Sequence, residues 1–255
     1  MQAGTLWIVA TPIGNLDDLA PRAVAALRAV ALVACEDTRH SAGLFARFGI
    51  GTPTLPLHEH NEREAADRVL ARLRAGDSVA LVSDAGTPLV SDPGFRLVAA
   101  AREAGLCVST VPGPCALVAA LSVSGLPTDR FCFEGFLPPK SAARRARLEV
   151  LALDPRTLVL YESKHRIVEC LQDLVATLGA QRRATVAREL TKLHETILAG
   201  ALEELHARVI ADPEQQLGEV GVVVEGAPDD ADAARRREGE RVFRLLADEL
   251  PGSRA

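Results

Sequence analysis

Apolar positions in this 255-residue chain follow two alternating periods. Short runs rich in Val, Leu, Ile and Thr read as strands, and longer runs with apolar residues every three or four positions read as helices. TLWIVAT is the first strand, and the stretch from Leu16 to Val30 keeps helical spacing. ALVACED, TPTLPLH, SVALVSD and CVSTVPG follow as further strands, each set off by a helix or a turn. That alternation predicts an α/β fold with a largely parallel sheet. After PCALVAALSVSG the texture shifts to the Phe- and Pro-rich TDRFCFEGFLPPKS, which runs into a basic helix. A second α/β set then unfolds through RTLVLYES, RATVARELT, HETILAG and GEVGVVVEG, with HRIVECLQDLVATLG and ALEELHARV as helices. Two α/β domains are predicted, residues 1–120 and 121–228, with a ligand cleft between them. Residues 229–255 are expected to be a charged linker followed by the start of an amphipathic helix, as if a longer helical segment were cut short.

Composition narrows the class. With 48% hydrophobic residues the chain can bury a full core. It lacks a run of about 18 uncharged apolar residues, and MQAGTLWIVA lacks a basic leader, so a cytoplasmic protein without a membrane partner is expected. The five cysteines, Cys35, Cys107, Cys115, Cys132 and Cys170, stand singly among apolar neighbours and predict neither a metal site nor disulfides. A net charge of −5 argues against a uniformly basic nucleic-acid surface and leaves room for a local basic patch.

Candidate chemistry lies in the loops at strand ends, where α/β proteins place it. Four stand out: ATPIGNLDD, CEDTRH, SDAGTPLVSDPG and VPGPCALVAA. Glycines at 14, 86, 94 and 113 permit close backbone approach, and prolines at 12, 88, 93, 112 and 114 hold the loops in fixed shapes. Any one such loop is explained by turn formation; four at successive strand ends describe a cradle of main-chain groups. None fits GxGxxG or GxxxxGK[ST], so neither a dinucleotide fingerprint nor a phosphate loop has support, and Glu36 and Asp37 as ribose-binding acids rest on little.

TPIGNLDD, CEDTRH, HEHNE, SDAGTPLVSDPG, PGPCALVAALSVSGLPTDRFCFEGFLPPK, YESKHR and ARELTKLHE occur in that order between Leu6 and Gly226. Together they resemble the small-subunit ribosomal RNA cytidine 2′-O-methyltransferase branch of the tetrapyrrole-methylase-like enzymes. The resemblance implies S-adenosylmethionine held folded in the inter-domain cleft, a homodimer, and methylation of a decoding-site cytidine ribose on the small ribosomal subunit. Gly86, Thr87 and Pro88 would occupy the place of a Gly-Asp-Pro turn that lies against the cofactor, with Asp84 as the candidate acid. Pro12 and Gly14 would line one wall, Cys115 and Ala116 another, and Tyr161, Glu162 and Arg188 the wall from the second domain. Cys115 is given a steric and main-chain role, since methyl transfer from a sulfonium requires no enzyme nucleophile.

Methylating a ribose hydroxyl demands alignment in a dry cleft and gains from a positioned base. Asp37 and Arg39 in CEDTRH, and His60 and Glu62 in HEHNE, are candidates. Asp37 and Asn61 read equally as helix caps. His165, His194 and His206 are expected to face solvent. Only three of the 29 basic residues are lysines, Lys140, Lys164 and Lys192, and all three fall within these motifs. Lys192 and Lys140 are the preferred functional pair, as a compact ammonium or an amine of lowered pKa, and Lys164 is left aside. For RNA, KSAARRAR offers Lys140, Arg144, Arg145 and Arg147, which equally make a solvated helix face. With aromatics at 4%, a broad stacking platform is disfavoured, and a flipped-out nucleotide presented by the ribosomal particle fits better. The alternatives are a tetrapyrrole-precursor methylase of the same fold, and a noncatalytic nucleotide-binding regulator, for which the chain has no phosphate loop.

Overall fold

The computed structural model describes residues 3–58 and 60–228. The segment expected to form a linker and truncated helix, 229–255, lies outside them.

Five strands, β1 (Thr5–Val9), β2 (Leu32–Cys35), β3 (Thr54–Pro56), β4 (Val79–Val82) and β5 (Cys107–Val111), form a sheet in the order β3-β2-β4-β1-β5. Every pair in it is parallel. Parallel neighbours need crossovers, and α1 (Pro21–Ala29), α2 (Thr38–Arg47), α3 (Glu62–Arg74) and α4 (Phe95–Glu103) supply them. Along β4 the period of two is visible in the packing. Val79 and Leu81 face the α3 and α4 side with Val69, Leu73 and Leu97, whereas Ala80 and Val82 face Leu27 and Phe45 of α1 and α2. Burial on both faces is why SVALV reads as an apolar run rather than as an alternation.

After α5 (Ala116–Val123) a second five-stranded sheet is built from β6 (Phe131–Phe136), β7 (Thr157–Ser163), β8 (Arg183–Arg188), β9 (Thr196–Ala201) and β10 (Glu219–Val224). Its order is β6-β7-β10-β8-β9, with β6 and β7 parallel and the other three pairs antiparallel. Helices α6 (Ser141–Leu151), α7 (Ile167–Leu178) and α8 (Leu202–Ala211) cover one face through Leu148, Leu171, Leu174 and Leu205. The other face receives α5, whose Ala120 and Leu121 pack on Val159, Ala187 and Val223. The expected division at residue 120 therefore falls inside a helix that belongs, by its packing, to the second sheet. Small residues permit this approach: a side chain added at Gly221 would stand 3.2 Å from the Cβ of Ala120.

Among the described residues no helix is long and apolar enough to cross a membrane.

Candidate active site

Where β1, β4 and β5 end, their loops are stitched together. Thr11 and Gly86 exchange backbone hydrogen bonds at 2.9 and 3.1 Å, and the Thr87 hydroxyl donates to the carbonyl of Pro114 at 2.9 Å. Gly86 has φ +80, and a Cβ there would lie 3.2 Å from Ile13, so glycine suits both the backbone and the space. The three loops thus form one rigid wall.

Facing it is the second sheet, and between them lies a cavity of about 640 Å³. That is the size of a small-molecule site. Gly86, Thr87 and Asp92 line it from the first domain, Cys115 and Ala116 from the start of α5, and Tyr161, Glu162, Glu189, Lys192 and Glu219 from the second domain. The two lobes are tied at its edge by the backbone N–H of Asn15, which donates to the Thr191 hydroxyl at 3.0 Å. Non-glycine residues with left-handed backbone are confined, among those described, to the loops that flank this cavity: Leu89 and Ser91 on one side, Glu189 and Thr191 on the other. Such conformations cost on the order of 1–3 kcal/mol each and cluster where function requires them.

The charged lining groups are mostly neutralised from within. Glu162 is buried and paired with Arg166 at 2.8 Å, and its other oxygen accepts from the Ser163 N–H at 2.7 Å. Lys192 lies 2.8 Å from Glu189 and 3.0 Å from Glu219. Burial opposes the charge on Lys192, but the two carboxylates outweigh it and raise its pKa. Lys192 is therefore an ammonium, not an amine of lowered pKa, and is unsuited to act as a base here. Burial likewise opposes ionisation of Glu189, whose pKa is nonetheless lowered by Lys192.

Asp92 is different. Burial pushes its pKa up to about 6, the Ser83 hydroxyl opposes the shift, and the charges of Glu36 and Asp84 add to it. No cation pairs with it among the described residues, although it lines the cavity. A half-buried carboxylate without a counter-charge is a site prepared for a cation or for hydroxyl donors.

Several expected residues have other duties. Arg144 is fully buried, its Nε 2.7 Å from Asp173 Oδ2, so it cannot meet RNA. Arg145 also pairs with Asp173, at 2.6 Å, and Arg147 with Glu134, at 2.6 Å, the two arginines being exposed and their acid partners largely covered. Of that basic quartet Lys140 alone is exposed without an acid partner among the described residues. Arg188 is buried away from the cavity, where it donates to Thr196 at 3.1 Å and to the carbonyl of His194 at 2.8 Å. Glu62 caps α4 from a distance, accepting from the N–H groups of Gly94 and Arg96 at 3.0 Å each. Asp37 is the cap of α2, accepting from the Arg39 N–H at 2.8 Å. Asp84 accepts from the Asp37 N–H at 3.1 Å and does not line the cavity, nor do Pro12, Gly14 and Pro88. Arg39 and His60 are exposed and also stand clear of it.

Sequence reasoning thus brought together Gly86, Thr87, Cys115, Ala116, Tyr161, Glu162 and Lys192. It missed Asp92, Glu189, Glu219, Lys164, His165 and Phe136. The repeated Ser-Asp of SDAGTPLVSDPG was the available signal for Asp92, and the first Asp was chosen in place of the second.

Fold and site define the class: a two-lobed α/β protein with a small-molecule cavity between rigid turns. Consistent with this, the chain belongs to the tetrapyrrole (corrin/porphyrin) methylases, whose family model matches residues 5–206. It is 59% identical over 252 residues to ribosomal RNA small subunit methyltransferase I of Xylella fastidiosa strain Temecula1, covering 99% of this chain and 92% of that one. Its identity to the protein of the same name from Pseudomonas aeruginosa is 56% over 257 residues, covering 100% and 91%. The fold also matches uroporphyrin-III C-methyltransferase of Thermus thermophilus, solved in complex with S-adenosyl homocysteine, with a TM-score of 0.56 and 21% identity over 86% of this chain and 97% of that one. The chain is accordingly a methyltransferase.

Proposed function

We propose that the cavity binds S-adenosylmethionine and that the chain transfers its methyl group to RNA of the small ribosomal subunit, at the 2′-hydroxyl of a cytidine in the decoding region. The unpaired carboxylate of Asp92 in a cleft of this size carries the reading of the donor site. The family supports methyl transfer, and the names of the relatives, ribosomal RNA small subunit methyltransferases, support RNA as acceptor. The cytidine ribose rests on the order of motifs from TPIGNLDD to ARELTKLHE.

The cofactor supplies an activated sulfonium methyl. The residues of the chain have to bind, orient and exclude water. Asp92 offers a negative charge to the cationic part of the donor, the role first expected of Asp84. Gly86, Thr87, Cys115 and Ala116 present main chain, and Tyr161 closes the wall where α5 begins. Cys115 is given a steric role, since methyl transfer from a sulfonium needs no enzyme nucleophile. Alignment of oxygen, carbon and sulfur in such a cleft is worth about 7–11 kcal/mol of barrier. Lys192 holds the ELTK loop through its two carboxylates. Arg39 and His60 are assigned no chemical step.

The proposed setting is the cytoplasm, where ribosomal subunits are found, and the proposed working form is a homodimer. The test is transfer from methyl-labelled donor to small subunits, naked RNA or a tetrapyrrole precursor. Label on the small subunit is expected; label on the tetrapyrrole alone would replace the acceptor with that of the alternative.

A further inference from the structure

Among the second-domain residues that line the cavity and were given no part in the donor site are an aromatic ring and two basic side chains, Phe136, Lys164 and His165. Lys164 and His165 are exposed, and no acid pairs with either among the described residues. Their neighbours in YESKHR are the opposite case. Glu162 and Arg166 form a pair beneath the turn, Arg166 also donates to the carbonyl of Leu137 at 2.9 Å, and its N–H closes the turn onto Ser163 at 3.0 Å. One acid and one base of the motif thus fix the turn, and the two basic residues between them project over the cavity.

Phe136, at the end of β6, is 57% exposed although it lines a cavity. Its ring meets Tyr161 edge-on at 5.8 Å, and Tyr161 is held in turn by Phe133 at 4.8 Å. The ring is thereby fixed in place while part of its surface is left open, which is the arrangement an unstacked base requires. The charges divide in the same sense. The open negative group, Asp92, is on the first-domain wall, and the open ammonium, Lys164, is on the second; Lys192 is already neutralised by Glu189 and Glu219.

We infer that Phe136, Lys164 and His165 form the acceptor subsite, with the base of the target nucleotide against the Phe136 ring and its flanking phosphate held by Lys164 and His165. This rests on the methyl transfer to RNA proposed above and assigns the substrate side of the same cavity. Phosphate is the ligand that an unpaired ammonium and imidazole on a fixed turn would hold, and a single aromatic face suffices for one flipped nucleotide.

The experiment uses the full chain with Phe136→Ala, Lys164→Ala, Lys164→Arg and His165→Ala, measuring donor binding by calorimetry and kcat/KM on small subunits across a salt series. All variants should bind donor within about twofold of wild type. Lys164→Ala should lower kcat/KM roughly tenfold and reduce its log–log salt slope by about 0.7–0.9, one phosphate contact, whereas Lys164→Arg should keep the slope. His165→Ala should lower kcat/KM with a smaller change in slope. Phe136→Ala should lower kcat/KM by roughly 5- to 150-fold, the range of one base–aromatic stack, with the salt slope unchanged. A tenfold loss of donor affinity in these variants would place the residues in the donor site and overturn the inference. Unchanged kcat/KM and salt slope would overturn it equally. Failure of the wild type to bind donor is a separate result, which would remove the underlying reading.

Discussion

The hydroxyl of Tyr161, on β7, accepts a hydrogen bond at 2.8 Å from the backbone N–H of Leu117, in the first turn of α5. The residue preceding that helix, Cys115, makes no capping bond of its own, so a side chain from the second sheet completes the helix start. Burial, foremost, raises the pKa of Tyr161 and keeps it a neutral phenol. This contact fixes Cys115 and Ala116 against the cavity. Tyr161→Phe leaves the Leu117 N–H without a partner and is expected to cost about 1–3 kcal/mol in chemical denaturation. It should also weaken donor binding, because the wall formed by the start of α5 loosens.

Asp92 carries a prediction in which stability and binding move oppositely. Its pKa is about 6 in the fold against an ordinary 3.8, so folding favours the protonated form. Its contribution to stability is complete below about pH 4 and is lost as pH rises through about 6. Asp92→Asn should therefore raise the melting temperature of the ligand-free protein at pH 7.5 and leave it unchanged near pH 4. Donor affinity in the variant should fall by roughly 10- to 150-fold, the range for a hydrogen bond or contact to a charged group. Wild-type affinity should fall as pH drops below about 6. A variant that is more stable yet binds donor as well as wild type would remove Asp92 from the site.

Gly14 packs against the Lys192 side chain, and a Cβ there would also stand 2.9 Å from the Thr191 hydroxyl and 3.1 Å from the carbonyl of Leu190. Lys192 can shift, but Leu190 main chain cannot shift without moving a loop that already holds left-handed Glu189 and Thr191. Gly14→Ala is expected to break the Asn15–Thr191 link between the lobes and to cost about 1–3 kcal/mol, read as lost stability and weakened donor binding together. Lys192→Arg, which keeps the positive charge beside Glu189 and Glu219, should retain most activity; its inactivation with donor binding intact would reinstate Lys192 as a chemical participant.

Arg144 and Lys140 lie four residues apart and should behave as opposites. Arg144→Ala removes the fully buried guanidinium 2.7 Å from Asp173, which keeps Arg145 at 2.6 Å, and is expected to cost about 1.5–3 kcal/mol, visible in urea unfolding. Lys140→Ala should leave unfolding unchanged and raise KM for the small subunit at physiological salt, because its ammonium is exposed and unpaired.

Much of the architecture was readable because the inner strands of the first sheet, β1, β2 and β4, are wholly or largely buried and the crossover helices carry apolar stripes. SVALV and TLWIV announce this without help from distant residues. Sheet pairing was less legible: FCFEGF is β6, broken by a register shift at Gly135, and its Phe residues suggested only a change of texture. The site was half legible. Gly and Pro mark loops that must hold a shape, and the wall from Gly86 to Ala116 follows from them. Charge was misread where pairing is remote, since nothing near Arg188 or Glu62 in the chain reveals Thr196 or the N-terminus of α4. Arg144 was readable after all: with Leu148 and Leu151 it sits at i, i+4 and i+7 on the buried face of α6. Asp92 could not be told from Asp84, because both follow Ser in one loop and only the fold shows which reaches the cavity.

The central claim is that the two lobes hold a methyl donor between them. Calorimetric titration of the wild-type chain with S-adenosylmethionine, and with its demethylated product, tests this most directly. Saturable heat with one site per chain, abolished or strongly reduced in Asp92→Asn, is the predicted result; a flat titration with both ligands on folded protein would contradict the account.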